Sequence, residues 1–181
     1  MPERMTLGTY LAGEETNRPQ ELAFGLLREP AAPGFAHQIV VGRIFQRLDA
    51  HVRRHGAGQV VLSPVDVILD AEHALVVQPD VVFVSNARLA ICTDRIWGAP
   101  DLAVEVLSMG SRRHDRLTKV RWYREYGVRE CWLVDPFARE IDVLDLTAAD
   151  GMSRTCPPES LVRSAVLPRL RLRPGDVFPG A

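Results

Sequence analysis

The chain has 181 residues, 46% of them hydrophobic and 25% charged, a balance that suits one folded domain and excludes a disordered chain. Folding at this length buries on the order of 70% of the unfolded surface, enough for a sizeable core. A net charge of −1 excludes a strongly basic nucleic-acid coat, and three scattered cysteines without a CxxC pair exclude a disulfide framework or a zinc ribbon.

Residues 5–12 suit a short helix, and ELAFGLLR (21–28) reads as a first strand. PAAPG (30–34) is a loop. From about Ala36 to His55, Ile39, Val40, Ile44, Phe45, Leu48 and Val52 recur at helical spacing, and Gly56 supplies the stop. Three extended stretches follow: 59–70, bent at Pro64, then 74–84, then PDLAVEVLS (100–108). A helix is expected from about Arg112 to Tyr126, ended by Gly127, with Leu117, Val120 and Tyr123 facing inward. ECWLVDP (130–136) then reads as a buried strand, paired through a turn with REIDVLDL (139–146). The proline- and arginine-rich remainder, 151–181, suits an irregular hairpin.

The order is helix, three strands, helix, strand, with further strands at both ends. Short connections make the first three strands antiparallel, and a helical crossover lets the next lie parallel to the third. The fold class is therefore α/β, a mixed sheet with helices against it, in a single domain spanning residues 1–181. No apolar run reaches the ~18 residues of a membrane span. The opening MPERMTLGTY also lacks the apolar core of a secretory signal, so a cytoplasmic location is expected.

Three charged residues stand out. In PDLAVEVLS, alternation sets Glu105 in the middle of a strand apolar on both faces, where an ionised carboxylate needs a cation or hydrogen bonds. Asp80 follows Pro79, which cannot donate to a ladder, and so lies at a bend or edge. Two such oxygen donors on neighbouring strands suit a hard cation such as Mg²⁺. Of 22 basic residues, 21 are arginine and one is Lys119, 14 residues after Glu105 and near the margin of the inward helical stripe. An ammonium is a compact charge that fits a site where a guanidinium does not. Two carboxylates and a lysine converging at the strand's carboxyl end make a consistent site for phosphodiester hydrolysis. The alternatives are an edge aspartate, a glutamate paired with arginine and a snorkelling surface lysine.

PDVVFVS, GAPDLAVEVLS and RRHDRLTKVRWYREYGVRECWLVDP together resemble the Uma-type restriction endonuclease family, and so does ELAFG, which supplies Glu21 and Gly25. The likeness runs over about residues 20–146 and leaves 147–181 as an extension. It implies the PD-(D/E)XK nuclease superfamily and its restriction-endonuclease-like α-β-β-β-α-β core. It further implies that Asp80 and Glu105 bind Mg²⁺ (or Mn²⁺), with the Val106 carbonyl as third oxygen. The superfamily's usual lysine falls on Leu107, and Lys119 matches the helical lysine that takes that role in this family. Glu21 becomes an auxiliary acid, and His37 and Gln38 line the approach. The implied activity is hydrolysis of DNA phosphodiester bonds, RNA being chemically open, by a homodimer without membrane contact.

Other arrangements are weaker. His51 and His55, four apart on a helix, have no third ligand, and Asp101, opening its strand, suits a backbone or arginine contact. Arg112, Arg113, Arg116, Arg121 and Arg124 could meet phosphates or form a solvated face. Two non-enzymatic classes also fit these residues: a nucleic-acid-binding or accessory module on the same fold, and an interaction protein whose acids are only salt-bridged.

Overall fold

The computed structural model describes residues 4–14, 16, 18–108, 118–148 and 152–179. Helix α1 (Leu7–Leu11) is capped by Thr6, whose hydroxyl accepts the Thr9 N–H. Strands β1 (Glu21–Ala23) and β2 (Leu26–Arg28) then form an antiparallel hairpin. The sequence suggested one strand here. Phe24 and Gly25 instead turn the chain at φ 51° and 83°, the two positive angles that a tight hairpin requires.

Helix α2 (Phe35–His55) ends at Gly56 in the left-handed conformation, as the sequence indicated. The stretch 59–70 divides into β3 (Gly58–Leu62) and β4 (Val67–Asp70) about a cis Ser63–Pro64 bond. Likewise 74–84 divides into β5 (Leu75–Val77) and β6 (Val81–Ser85) about Gln78-Pro79-Asp80. In each case a proline interrupts the ladder and the chain changes sheet. The short β7 (Ile96–Trp97) precedes β8 (Leu102–Val106). Helix α3 (Val120–Glu125) stops before Gly127, at φ 88°. The first part of the expected helix, 112–117, with Leu117, Arg112, Arg113 and Arg116, lies outside the described residues.

Strands β9 (Glu130–Asp135), β10 (Glu140–Asp145) and β11 (Ser153–Cys156) complete the fold. The C-terminal segment forms no further pair of strands among the described residues, although it doubles back where the Val162 N–H bonds the Leu172 carbonyl. Strand β11 pairs with β10, and the chain beyond it is irregular apart from a short turn at Pro174–Asp176.

There are two sheets, not one. The larger has the order β11-β10-β9-β8-β6-β3, and the smaller β2-β1-β5-β4-β7. In the larger, β3, β6 and β8 are antiparallel and β8 is parallel to β9, so α2-β3-β6-β8-α3-β9 gives the expected α-β-β-β-α-β order. Val40, Ile44, Leu48 and Val52 of α2 pack on one face against Phe83, Leu102, Val104 and Trp132, and the C-terminal segment adds Leu170 and Leu172. On the other face Val82, Ala103, Leu107 and Leu133 meet the smaller sheet and Trp122 and Tyr123 of α3. Helix α1 covers the smaller sheet's outer side through Leu22, Ile68 and Val76. No helix among the described residues is long and apolar enough to cross a membrane.

Candidate active site

The register of β6 on β8 pairs Val81 with Val104. One step further sets Asp80 opposite Glu105, at the carboxyl end of β8. There Asp80 Oδ2 accepts the Val106 N–H at 2.7 Å. His37, in the first turn of α2, donates from Nε2 to the Val106 carbonyl at 2.9 Å and lies 3.5 Å from Asp80 Oδ2. The neighbouring Gln38 is exposed.

Glu105 is 4% exposed and Glu21, at the start of β1, is 6% exposed. Both turn to Lys119, itself 5% exposed, which corrects the alternative of a snorkelling surface lysine. Lys119 Nζ is 3.1 Å from each Glu105 oxygen and 2.6 Å from Glu21 Oε1. Immediately before α3, Lys119 shares a helix face with Tyr123, four residues on, and both reach the same carboxylate. The Tyr123 hydroxyl donates to Glu105 Oε1. Burial, reinforced by the negative Glu105, holds the Tyr123 phenol well above its ordinary pKa, so it remains a donor. The Gln78 N–H donates to Glu21 Oε1 at 3.2 Å.

The cluster thus brings together Asp80, Glu105, Lys119, Glu21 and the Val106 backbone. Among the described residues it holds three carboxylates and one ammonium. Asp80 and His37 are partly exposed, with side chains 21% and 13% accessible, so solvent reaches the cluster from their side. Leu107, two residues after Glu105, is buried against Ala103 and Leu133 and donates its N–H to the Val134 carbonyl. The helix delivers the ammonium that the strand does not.

The donor set fits a hard divalent cation. Asp80, Glu105 and the Val106 carbonyl are oxygen donors at one strand end, and Mg²⁺ is usually held by one or two carboxylates together with water and substrate phosphate. Among the described residues no three His, Cys, Asp or Glu side chains are grouped so as to hold a metal by themselves.

Tyr123 was missed as a site residue because a tyrosine in an inward stripe reads as core. Its spacing of four from Lys119 was the available signal. Removing only its hydroxyl with Tyr123→Phe should cost about 1.5–3 kcal/mol, since the lost bond serves a buried carboxylate. Urea unfolding of the two proteins measures it.

Asp101 belongs elsewhere, as its position at the strand opening suggested. Its carboxylate accepts the Ser85 N–H at 2.7 Å and Arg129 at 3.1 Å, with Arg88 at 3.8 Å. Burial alone would raise its pKa, but the Ser85 bonds and the two guanidiniums outweigh this and hold it below the ordinary value. A depressed carboxylate stabilises the fold above its unfolded pKa, and that contribution is lost as pH falls through the folded value. The stability gap between wild type and Asp101→Asn should therefore narrow below about pH 4, measured by urea unfolding across pH. His51 and His55 stack at 4.3 Å between ring centroids, and His55 Nδ1 bonds the His51 carbonyl.

The model of the Uma2 family, described as "Putative restriction endonuclease", matches residues 7–175. No curated protein matches the sequence. Among solved structures, the fold is similar to the crystal structure of "a putative nuclease belonging to DUF820" from Anabaena variabilis. That likeness has a TM-score of 0.81 at 18% identity, over 96% of this chain and 97% of the other.

Proposed function

The chain belongs to the Uma2 family, and from that premise we propose that it is a metal-dependent endonuclease hydrolysing DNA phosphodiester bonds. The observation that carries this reading is the buried Lys119 ammonium, 3.1 Å from both oxygens of Glu105, beside Asp80 at the open end of the sheet.

In this reading Asp80, Glu105 and the Val106 carbonyl hold Mg²⁺, with Mn²⁺ as substitute. The bound ion supplies a Lewis acid for the scissile phosphate and lowers the pKa of water. Lys119 orients the attacking water and stabilises negative charge developing on the phosphoryl oxygens. Glu21 shares that ammonium with Glu105 and so adds to the charge that holds Lys119 at the site. Tyr123, its phenol pKa raised by burial, donates to the Glu105 oxygen that faces it and fixes it. His37 steadies the Asp80–Val106 corner from α2. Assembly as a homodimer, which would present two such sites to a duplex, is part of the same proposal.

Calorimetric titration of Mn²⁺ into the DNA-free protein tests the ligand assignment. Wild type should bind one ion and Glu105→Ala none. Unchanged affinity in Glu105→Ala would make the assignment wrong.

A further inference from the structure

The C-terminal segment carries a row of charge that the site does not use. Residues 160–175 contain four arginines, Arg163, Arg169, Arg171 and Arg173; the flanking acids are Glu159 and Asp176, and Asp176 shares a surface cleft with Arg171 and Arg173. All four are exposed, while Leu170 and Leu172 between them are 7% and 0% exposed and sit in the main core beneath α2. The Val162 N–H bonds the Leu172 carbonyl, which brings Arg163 beside the other three. Leu170 and Leu172 fix the backbone, so alternation directs Arg171 and Arg173 outward, and Arg169 stands exposed in the turn just before them, at φ 65°. None of the four side chains makes an ion pair or a hydrogen bond among the described residues. By contrast Arg43, Arg139 and Arg47 are engaged on Phe178, Pro179 and Asp176.

The row also has a direction. The backbone of Pro168 meets His51, Asp176 meets Arg47, and the Phe178 carbonyl accepts from Arg43. The segment therefore runs back along α2 from His51 to Arg43, in the direction of the helix end that carries His37 and the carboxylate cluster. From His51 to His37 is about 21 Å of helix, the axial rise of about six phosphates of one DNA strand. Two residues of extended chain, as from Arg171 to Arg173, span about 6.6 Å, twice the rise per phosphate.

We propose that Arg169, Arg171 and Arg173, flanked by Arg163, form a phosphate-backbone track that holds a nucleic-acid strand along α2 and leads it to the site at the carboxyl end of β8. This rests on the nuclease reading above and names the surface by which the substrate is held. Such contacts are independent of base sequence, and guanidiniums suit them through paired donors.

The test is DNA binding in EDTA, so that hydrolysis plays no part. Fluorescence anisotropy of a random-sequence duplex is read from 50 to 200 mM salt. The variants are Arg169→Gln/Arg171→Gln/Arg173→Gln and, as a charge control, Arg4→Gln/Arg18→Gln, exposed in the segment that leads into β1 and away from α2. The triple variant should bind on the order of tenfold or more weakly, and its log–log salt slope should fall by about 3, near one per phosphate contact. The control should lose far less, and the triple variant should keep its melting temperature, because its arginines brace nothing. Four results would overturn the track: an unchanged slope in the triple variant, an equal loss in the control, no binding by wild type, or wild-type binding to phosphatidylserine vesicles in place of DNA. Plasmid nicking by wild type with Mg²⁺ is scored separately. Failure of the track with nicking intact would leave the nuclease reading standing.

Discussion

Lys119→Met should destabilise the protein by about 3–5 kcal/mol in EDTA, the cost of removing one partner from a buried ion pair. Glu21 and Glu105 are each almost wholly buried and both lie on this one ammonium, at 2.6 and 3.1 Å. Methionine fills the same volume without the charge, so little of the loss would be packing. Guanidinium unfolding at neutral pH gives the difference directly. Lys119→Arg should lie between the two proteins, since it restores charge in a space fitted to an ammonium. Added Mn²⁺ should raise the melting temperature of Lys119→Met by more than that of wild type, because a cation then returns to the carboxylates. A loss below about 1 kcal/mol, the range of exposed pairs, would mean that the ammonium and carboxylates are not held together in solution.

Asp80→Asn should remove metal binding while leaving the fold within about 1 kcal/mol of wild type. The asparagine carbonyl can still accept the Val106 N–H that Asp80 takes at 2.7 Å, so the local hydrogen bond survives. What disappears is the negative charge that a hard cation requires. Calorimetric titration with Mn²⁺ and a thermal melt of the same sample separate these effects. Retained affinity in Asp80→Asn, together with loss in Glu105→Ala, would move the ion off the Asp80 corner and toward Glu21.

Much of this arrangement is legible in the residues before any coordinates. Glu105 is conspicuous because a charge interrupts an apolar strand, and Lys119 because it is the single lysine among arginines. Gly56 and Gly127 mark both helix ends, and the α-β-β-β-α-β order follows from periodicity. Two sheets are not legible. Residues 59–70 and 74–84 each read as one bent strand, because alternation says which residues are apolar and not which partner they meet. Pro64 and Pro79 were visible as bends, but only the pairing of β4 and β5 apart from β3 and β6 shows that the chain changes sheet there. The Phe24-Gly25 turn was obscured because Phe24, in the left-handed region, is not a residue that ordinarily announces a turn.

The polar frame around the site was hidden for a different reason. Tyr123 and Gln78 act through a hydroxyl and a backbone N–H on carboxylates distant in sequence, and no spacing rule encodes such long-range partners. The C-terminal arginines were seen only as composition. Their alternation with buried leucines has meaning once the core beneath α2 is known.

The most direct measurement is nicking of supercoiled plasmid in Mg²⁺ or Mn²⁺ by wild type beside identically purified Glu105→Ala and Lys119→Ala. The expected result is relaxation by wild type that depends on the metal and vanishes in both variants. Equal nicking by all three proteins, or none by wild type with either ion, would contradict a metal-dependent nuclease centred on Glu105 and Lys119. The second outcome would favour a nucleic-acid-binding module that keeps the fold without the reaction.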